Sequence, residues 1–138
     1  MATAADLIYA AAAGAVPAGV AVSTTIIPGI GPARYVLLFI PDDSLSASAL
    51  DAVSDQVAVE FHVLCVVSND LPQLADAECR DLTRRVRLAL TDLTISPTGM
   101  SPARITQRGR TGVPQPDETT PNKKVYTQMQ FGFDSVTA

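Results

Sequence analysis

His62 is the sole histidine of the chain, and Glu60 precedes it by two residues in a run whose alternate residues are apolar. On an extended strand the two side chains share one face, so a carboxylate could orient an imidazole for general-base work. No serine or cysteine beside them stands in a recognisable nucleophile motif. The pair fits either a small-molecule or enzymatic site or hydrogen-bonded residues on a surface or subunit contact.

The two cysteines offer different chemistry. Cys65 falls on the apolar face of the same strand and Cys79 on the apolar stripe of the helix that follows. Two such faces should pack together, so a disulfide is geometrically conceivable. As a pair in a domain of this size, they fit better as small core hydrophobes in a reducing compartment. There is no Cys-x-x-Cys pair and no Cys/His cluster at metal-ligand spacing, so neither a metal nor a cofactor is expected. Gly29-Ile30-Gly31 is too short for a dinucleotide fingerprint and precedes a strand instead of opening a helix. The adjacent acids Asp42 and Asp43 follow Pro41 and suit a turn better than a metal site.

Arg104, Arg108 and Arg110 lie within a Pro/Gly-rich stretch at about 96–122, and Lys123 and Lys124 follow it. Nucleic-acid binding would call for interleaved aromatics and a basic total charge. Tyr126 is the aromatic nearby, the net charge is −4 and the isoelectric point is about 4.7. The basic residues are therefore expected to dock onto an acidic protein surface, such as that of an adjacent copy; the alternative is a solvated loop. Residues 1–79 hold nine acids and one base, Arg34, a net of −8, while residues 80–138 hold five acids and nine bases, a net of +4. Such halves either attract copies of the same chain or simply form solvated faces.

The elements that position these residues follow from periodicity. At 138 residues, 47% hydrophobic and 17% charged, the chain has the size and composition of a single folded domain, 1–138. A first helix is predicted over 4–13, with Thr3 as cap, Asp6 completing a capping box, and Gly14 and Pro17 ending it. Strands are predicted over 20–27 and 35–40, separated by the Pro28-Gly29-Ile30-Gly31-Pro32 turn. Residues 44–56 form a loop or short helix anchored by Leu45, Leu50 and Val53.

Val57, Val59, Phe61, Val63, Cys65 and Val67 then alternate as one buried strand face. The next helix is expected to be capped by Asp70, with Pro72 in its first turn and Gln73 completing the cap. Its apolar stripe runs through Leu71, Leu74, Ala75, Cys79, Leu82, Val86, Ala89, Leu90 and Leu93. On its outer side Asp76–Arg80 and Asp81–Arg85 stand four apart, and Arg84 and Arg87 extend the basic surface. Beyond a short strand over 103–107, residues 109–121 read as a long polar loop of the kind that is functional or disordered. A closing strand over 123–133 buries Val125, Thr127, Met129, Phe131 and Phe133. The fold class is α+β: a mainly antiparallel sheet flanked by an N-terminal helix and a central amphipathic helix. The stretch 4–22 is too rich in Ala and Gly, and too broken by Pro17, to span a membrane, and no Lys or Arg precedes Arg34 to make a secretory signal. A soluble, cytoplasmic protein without membrane or specific nucleic-acid partners is expected.

The order of these features resembles a known family. A helix is followed by Val16-Pro17-Ala18-Gly19-Val20 and a strand, and a Pro-Gly turn leads to Ala33-Arg34-Tyr35-Val36-Leu37-Leu38. After a polar excursion come Phe61-His62-Val63-Leu64-Cys65-Val66 and a helix ending Arg84-Arg85-Val86-Arg87-Leu88-Ala89-Leu90; a long loop and a last strand finish the chain. From about residue 7 to 133 the sequence resembles the tail terminator (tail completion) proteins of long-tailed bacteriophages and related minor tail proteins. The family has no invariant catalytic motif, so the resemblance rests on order and spacing. It implies a non-enzymatic virion protein: helices on a mainly antiparallel sheet, and six copies closing into a ring on the head-proximal end of the tail tube. That ring would end tube polymerisation and present a face to the head-side connector, so the implied partners are further copies of the chain, the tube protein and the connector. A head-tail connector or neck protein is the neighbouring alternative.

Overall fold

A computed structural model describes residues 3–24, 34–40, 56–69, 71–97, 101–117 and 124–136. The fold is α+β, with two helices and a mostly antiparallel sheet among these residues. The elements are α1 (Ala4–Ala15), β1 (Ala21–Ser23), β2 (Arg34–Phe39), β3 (Gln56–Ser68), α2 (Pro72–Leu90), β4 (Thr94–Ile95), β5 (Ala103–Arg104), β6 (Thr106–Gln107), β7 (Gln115–Asp117) and β8 (Lys124–Val136). The main sheet has the order β1-β2-β3-β8-β6, with β7 also paired to β8, and β4 and β5 form a separate ribbon. The β1–β2 pair is parallel and the other pairs are antiparallel.

The frame is the β3–β8 pair, thirteen residues on each strand, in register from Gln56↔Val136 to Ser68↔Lys124. Side chains alternate across a strand, so Phe61, Val63, Cys65 and Val67 share one face with Thr127, Met129, Phe131 and Phe133. All eight are buried. Phe61 stacks on Phe131 at 5.6 Å between ring centroids, and Phe133 tilts against Phe61 at 6.5 Å. Helix α2 lays Ala75, Cys79, Leu82, Val86 and Leu90 on this face, and α1 adds Ala4, Ile8 and Ala12 to the same cluster. Burying Leu82, Val86 and Leu90 stabilises the fold by about 1.5–3 kcal/mol each.

Helix α1 begins as the sequence requires. Thr3 Oγ1 accepts from the Asp6 amide, and the Asp6 carboxylate accepts from the Thr3 amide. It runs through Gly14 to Ala15, past the end predicted at Ala13. Helix α2 starts differently from its prediction. Its N-cap is Leu71, whose side chain makes no cap, and Asn69 Oδ1 accepts the Leu71 amide at 3.0 Å. Asp70 lies outside the described residues. Leu71 and Leu74 are exposed, not part of the inward stripe, because the seam begins at Ala75.

The region after α2 is more ordered than a long loop. Residues 103–107 do not form one strand: Ala103–Arg104 pairs with Thr94–Ile95, Thr106–Gln107 pairs with β8, and buried Ile105 divides them. Gln115–Asp117, expected in the loop, pairs with Tyr126, Val125 and Lys124 of β8. The predicted strand over 20–27 is described for Ala21–Ser23. The Pro28–Pro32 turn with its Gly29-Ile30-Gly31 run, the Asp42-Asp43 pair and the anchors Leu45, Leu50 and Val53 lie outside the described residues.

Candidate interaction surfaces

Both helices pack on one face of the sheet. The other, outer face is lined by the even-numbered residues of β3 and β8, and no described helix covers it. Glu60 and His62 stand here, as their spacing predicts, but each bonds across the strand pair instead of to the other. Glu60 Oε2 accepts from Gln130 Nε2 at 3.0 Å, and His62 Nδ1 lies 3.4 Å from Gln128 Nε2. The arrangement is a ladder of polar cross-strand contacts on an exposed face, and among the described residues no nucleophile is bonded to His62. Further along the same face Tyr35, Leu37 and Val66 form a small buried apolar cluster, with Ala21, Leu64 and Tyr126 packed against it.

The four described residues of the predicted interface set do not gather in one place. Arg104 is held inside the molecule's own architecture. Its Nε and Nη2 donate to Asp92 Oδ1 at 3.0 and 2.7 Å. Asp92 follows α2 with φ of 65°, a left-handed conformation that aspartate tolerates better than most residues. The Asp92 amide donates to the Ile105 carbonyl, so Arg104 fastens the turn that returns the chain beneath α2. Arg108 lies flat on the outer sheet face over Gly132. A Cβ at position 132 would stand 2.8 Å from Arg108 Nε and 3.2 Å from the Val59 carbonyl oxygen, so a side chain there would force the guanidinium away. Lys124 is on the same face at the other end of β8, with Nζ 5.7 Å above the Tyr35 ring, within cation–π range. Arg110 is exposed and has no ion-pair partner among the described residues. Lys123 lies outside the described residues.

A basic groove on the opposite side of the molecule was not anticipated as a site. Arg80, Arg84 and Arg87 fall at i, i+4 and i+7 on α2 and so form one stripe. With Thr83 and residues 111–114 they border an open cleft of about 360 Å³. The facing wall exists because β7 and β6 pair with β8 on either side of 111–114, while the Gly112 amide reaches the Gln128 carbonyl at 3.4 Å. The expected pairs form: Arg80 Nε meets Asp76 at 2.9 Å and Arg85 Nε meets Asp81 at 2.9 Å. Arg84 shares that aspartate, at 3.1 Å. Donation from Arg85 and Arg84 holds the Asp81 carboxyl below its ordinary range. One carboxylate thus serves two guanidiniums, and Arg87 has no partner among the described residues, so the stripe keeps an excess of positive charge. The i, i+4, i+7 spacing was visible in the sequence; the facing wall, more than twenty residues further on, had no local signal.

The cysteines are free thiols. Cys79 Sγ lies 3.2 Å from Thr127 Oγ1 and 3.6 Å from the Cys65 carbonyl oxygen. Burial pushes the Cys65 thiol up to about 12 and raises Cys79 as well, which suits core residues and not nucleophiles. Among the described residues no three His, Cys, Asp or Glu side chains converge to hold a metal ion. No described helix is long and apolar enough to cross a membrane. No protein-family model and no curated sequence matches the chain.

Proposed function

We propose that this chain is a structural subunit of a long-tailed phage, closing into a ring on the head-proximal end of the tail tube. The ring ends tube polymerisation and offers its free face to the head-side connector. The observation that carries this reading is the order of elements. A capped alanine-rich helix, the β1–β2 pair, a thirteen-residue strand, an amphipathic helix, an irregular basic stretch and a thirteen-residue closing strand follow one another in the order on which the sequence resemblance rests.

Two physical features support it. A heterologous contact between identical subunits makes a ring when its rotation closes, and it requires two unlike surfaces on each copy. The −8 front half and the +4 back half supply unlike charge, and the α2 stripe concentrates part of the positive excess on one exposed flank. The test is the mass of the purified protein over a range of concentrations, followed by imaging and by addition to growing tail tubes. The expected result is a closed ring that stops tube elongation at the head-proximal end. A protein that stays monomeric at all concentrations and leaves tube length unchanged refutes the proposal, and a ring found only on the head side of the joint assigns it to the connector class instead.

A further inference from the structure

The arginine groove has a complement within the same sequence. Residues 41–55 carry Asp42, Asp43, Asp51 and Asp55 and no base. The same run contains Leu45, Leu50 and Val53. The groove offers Arg80, Arg84 and Arg87 along one wall, and Val113, 57% exposed, with Pro114 on the other. We propose that the groove receives the aspartate-rich segment 41–55 of a second copy of this chain. The inference rests on the self-assembly reading above and names one contact through which it operates.

Chain geometry favours a second copy over the same one. The groove sits beside Thr127, which is registered against Cys65 of β3. The segment must rejoin the sheet at Gln56, nine residues along β3 from Cys65 and therefore about 30 Å away. It leaves the sheet after Phe39, which is opposite His62 on the far side of β3 from β8. Fifteen residues span at most about 50 Å when fully extended. Travelling from β2 across to the groove and back to Gln56 would take most of that length, so the segment of the same copy would reach the cleft only when almost fully extended. A neighbouring copy meets no such constraint. Charge also selects this occupant over the tail of the chain, where acids and bases are mixed.

The test uses a labelled peptide of residues 41–55 and the full-length protein carrying Asp42→Asn, Asp43→Asn, Asp51→Asn and Asp55→Asn, so that its own segment does not compete. Fluorescence anisotropy at low salt should show saturable binding that weakens steadily as salt rises. Adding Arg84→Glu and Arg87→Glu to the protein should weaken binding by about tenfold or more, as should replacing the four aspartates of the peptide by asparagine. If the double reversal disturbs the circular dichroism of α2, Arg87→Gln serves, because Arg87 has no ion-pair partner among the described residues. Absence of binding, binding indifferent to the arginines, or preference for single-stranded DNA of similar length overturns the proposal. Peptide binding by a protein that never forms rings keeps this contact and refutes the ring, whereas rings from a protein that ignores the peptide do the reverse.

Discussion

Truncating Phe131 to alanine tests the register on which every statement about the two sheet faces depends. Phe131 is fully buried, stands directly opposite Phe61, and stacks on it with an interplanar angle of 19°. Removing a buried phenyl ring costs about 3–5 kcal/mol through lost transfer energy and the cavity left behind. About 0.5–1.5 kcal/mol of that belongs to the ring pair itself. Set against a total stability of about 5–15 kcal/mol for a domain of ordinary size, the loss is about a fifth or more of the whole. It should lower the thermal midpoint by about 10–20 °C. Urea unfolding followed by far-ultraviolet circular dichroism measures it, and Phe61→Ala with the double variant isolates the pair. The control is Gln130→Ala, one residue away on the outer face, which removes one exposed hydrogen bond to Glu60 and should stay within about 0.5 kcal/mol of the parent. Because a one-residue slip moves every side chain of a strand to the opposite face, equal effects of the two variants, or a loss below about 1 kcal/mol for Phe131→Ala, would refute the assigned faces.

Two further outcomes follow from the titratable groups. Both cysteines, buried and with raised pKa, should resist a thiol-reactive disulfide reagent at pH 8 in the native protein and react together once denaturant is added; rapid native labelling would place them outside the core. Asp81 is depressed below its ordinary 3.8, so its contribution to stability is fully present above that value and is lost as pH falls through the lower folded-state value. Asp81→Asn should therefore be less stable than the parent at neutral pH and converge with it in acid, as read by denaturant midpoints; a constant difference down to pH 2 would contradict the pairing with Arg84 and Arg85.

What could be read from the sequence was what local periodicity and capping chemistry decide. Alternation through Val59 to Val67 and through Thr127 to Phe133 identified the two inward faces, and Thr3 with Asp6 announced the start of α1. The helix stripe was correct at Ala75, Cys79, Leu82, Val86 and Leu90, only half-buried at Ala89, and wrong at Leu71 and Leu74. These leucines keep the helical spacing but lie before the helix reaches the sheet, a fact of tertiary placement. Asn69 accepts the Leu71 amide at the entry to the helix, and Pro72 stands in its first turn, where a missing N–H leaves no helical hydrogen bond unmade. The Gln115–Asp117 strand was hidden by Pro116, which argues against a central strand but is tolerated on an outer one.

The basic residues show why counting charge along a sequence does not locate a charged surface. Arg104, Arg108 and Arg110 are close in sequence and were expected to act together, yet they occupy three environments. Arg104 neutralises Asp92 at a strained turn, Arg108 is laid along the sheet by the missing side chain of Gly132, and Arg110 is exposed with no ion-pair partner among the described residues. Arg80, Arg84 and Arg87 are embedded in a helix that also carries Asp76, Glu78 and Asp81, and by count they look nearly balanced. Geometry breaks that balance: Asp81 is divided between Arg84 and Arg85, and Glu78 approaches Arg34 of β2 at 3.9 Å. The surplus falls on Arg87 and on the exposed heads of Arg80 and Arg84, beside a wall supplied by residues 111–114. A helix that looks self-neutralising in sequence thereby carries its positive charge unevenly, along the Arg80, Arg84 and Arg87 stripe.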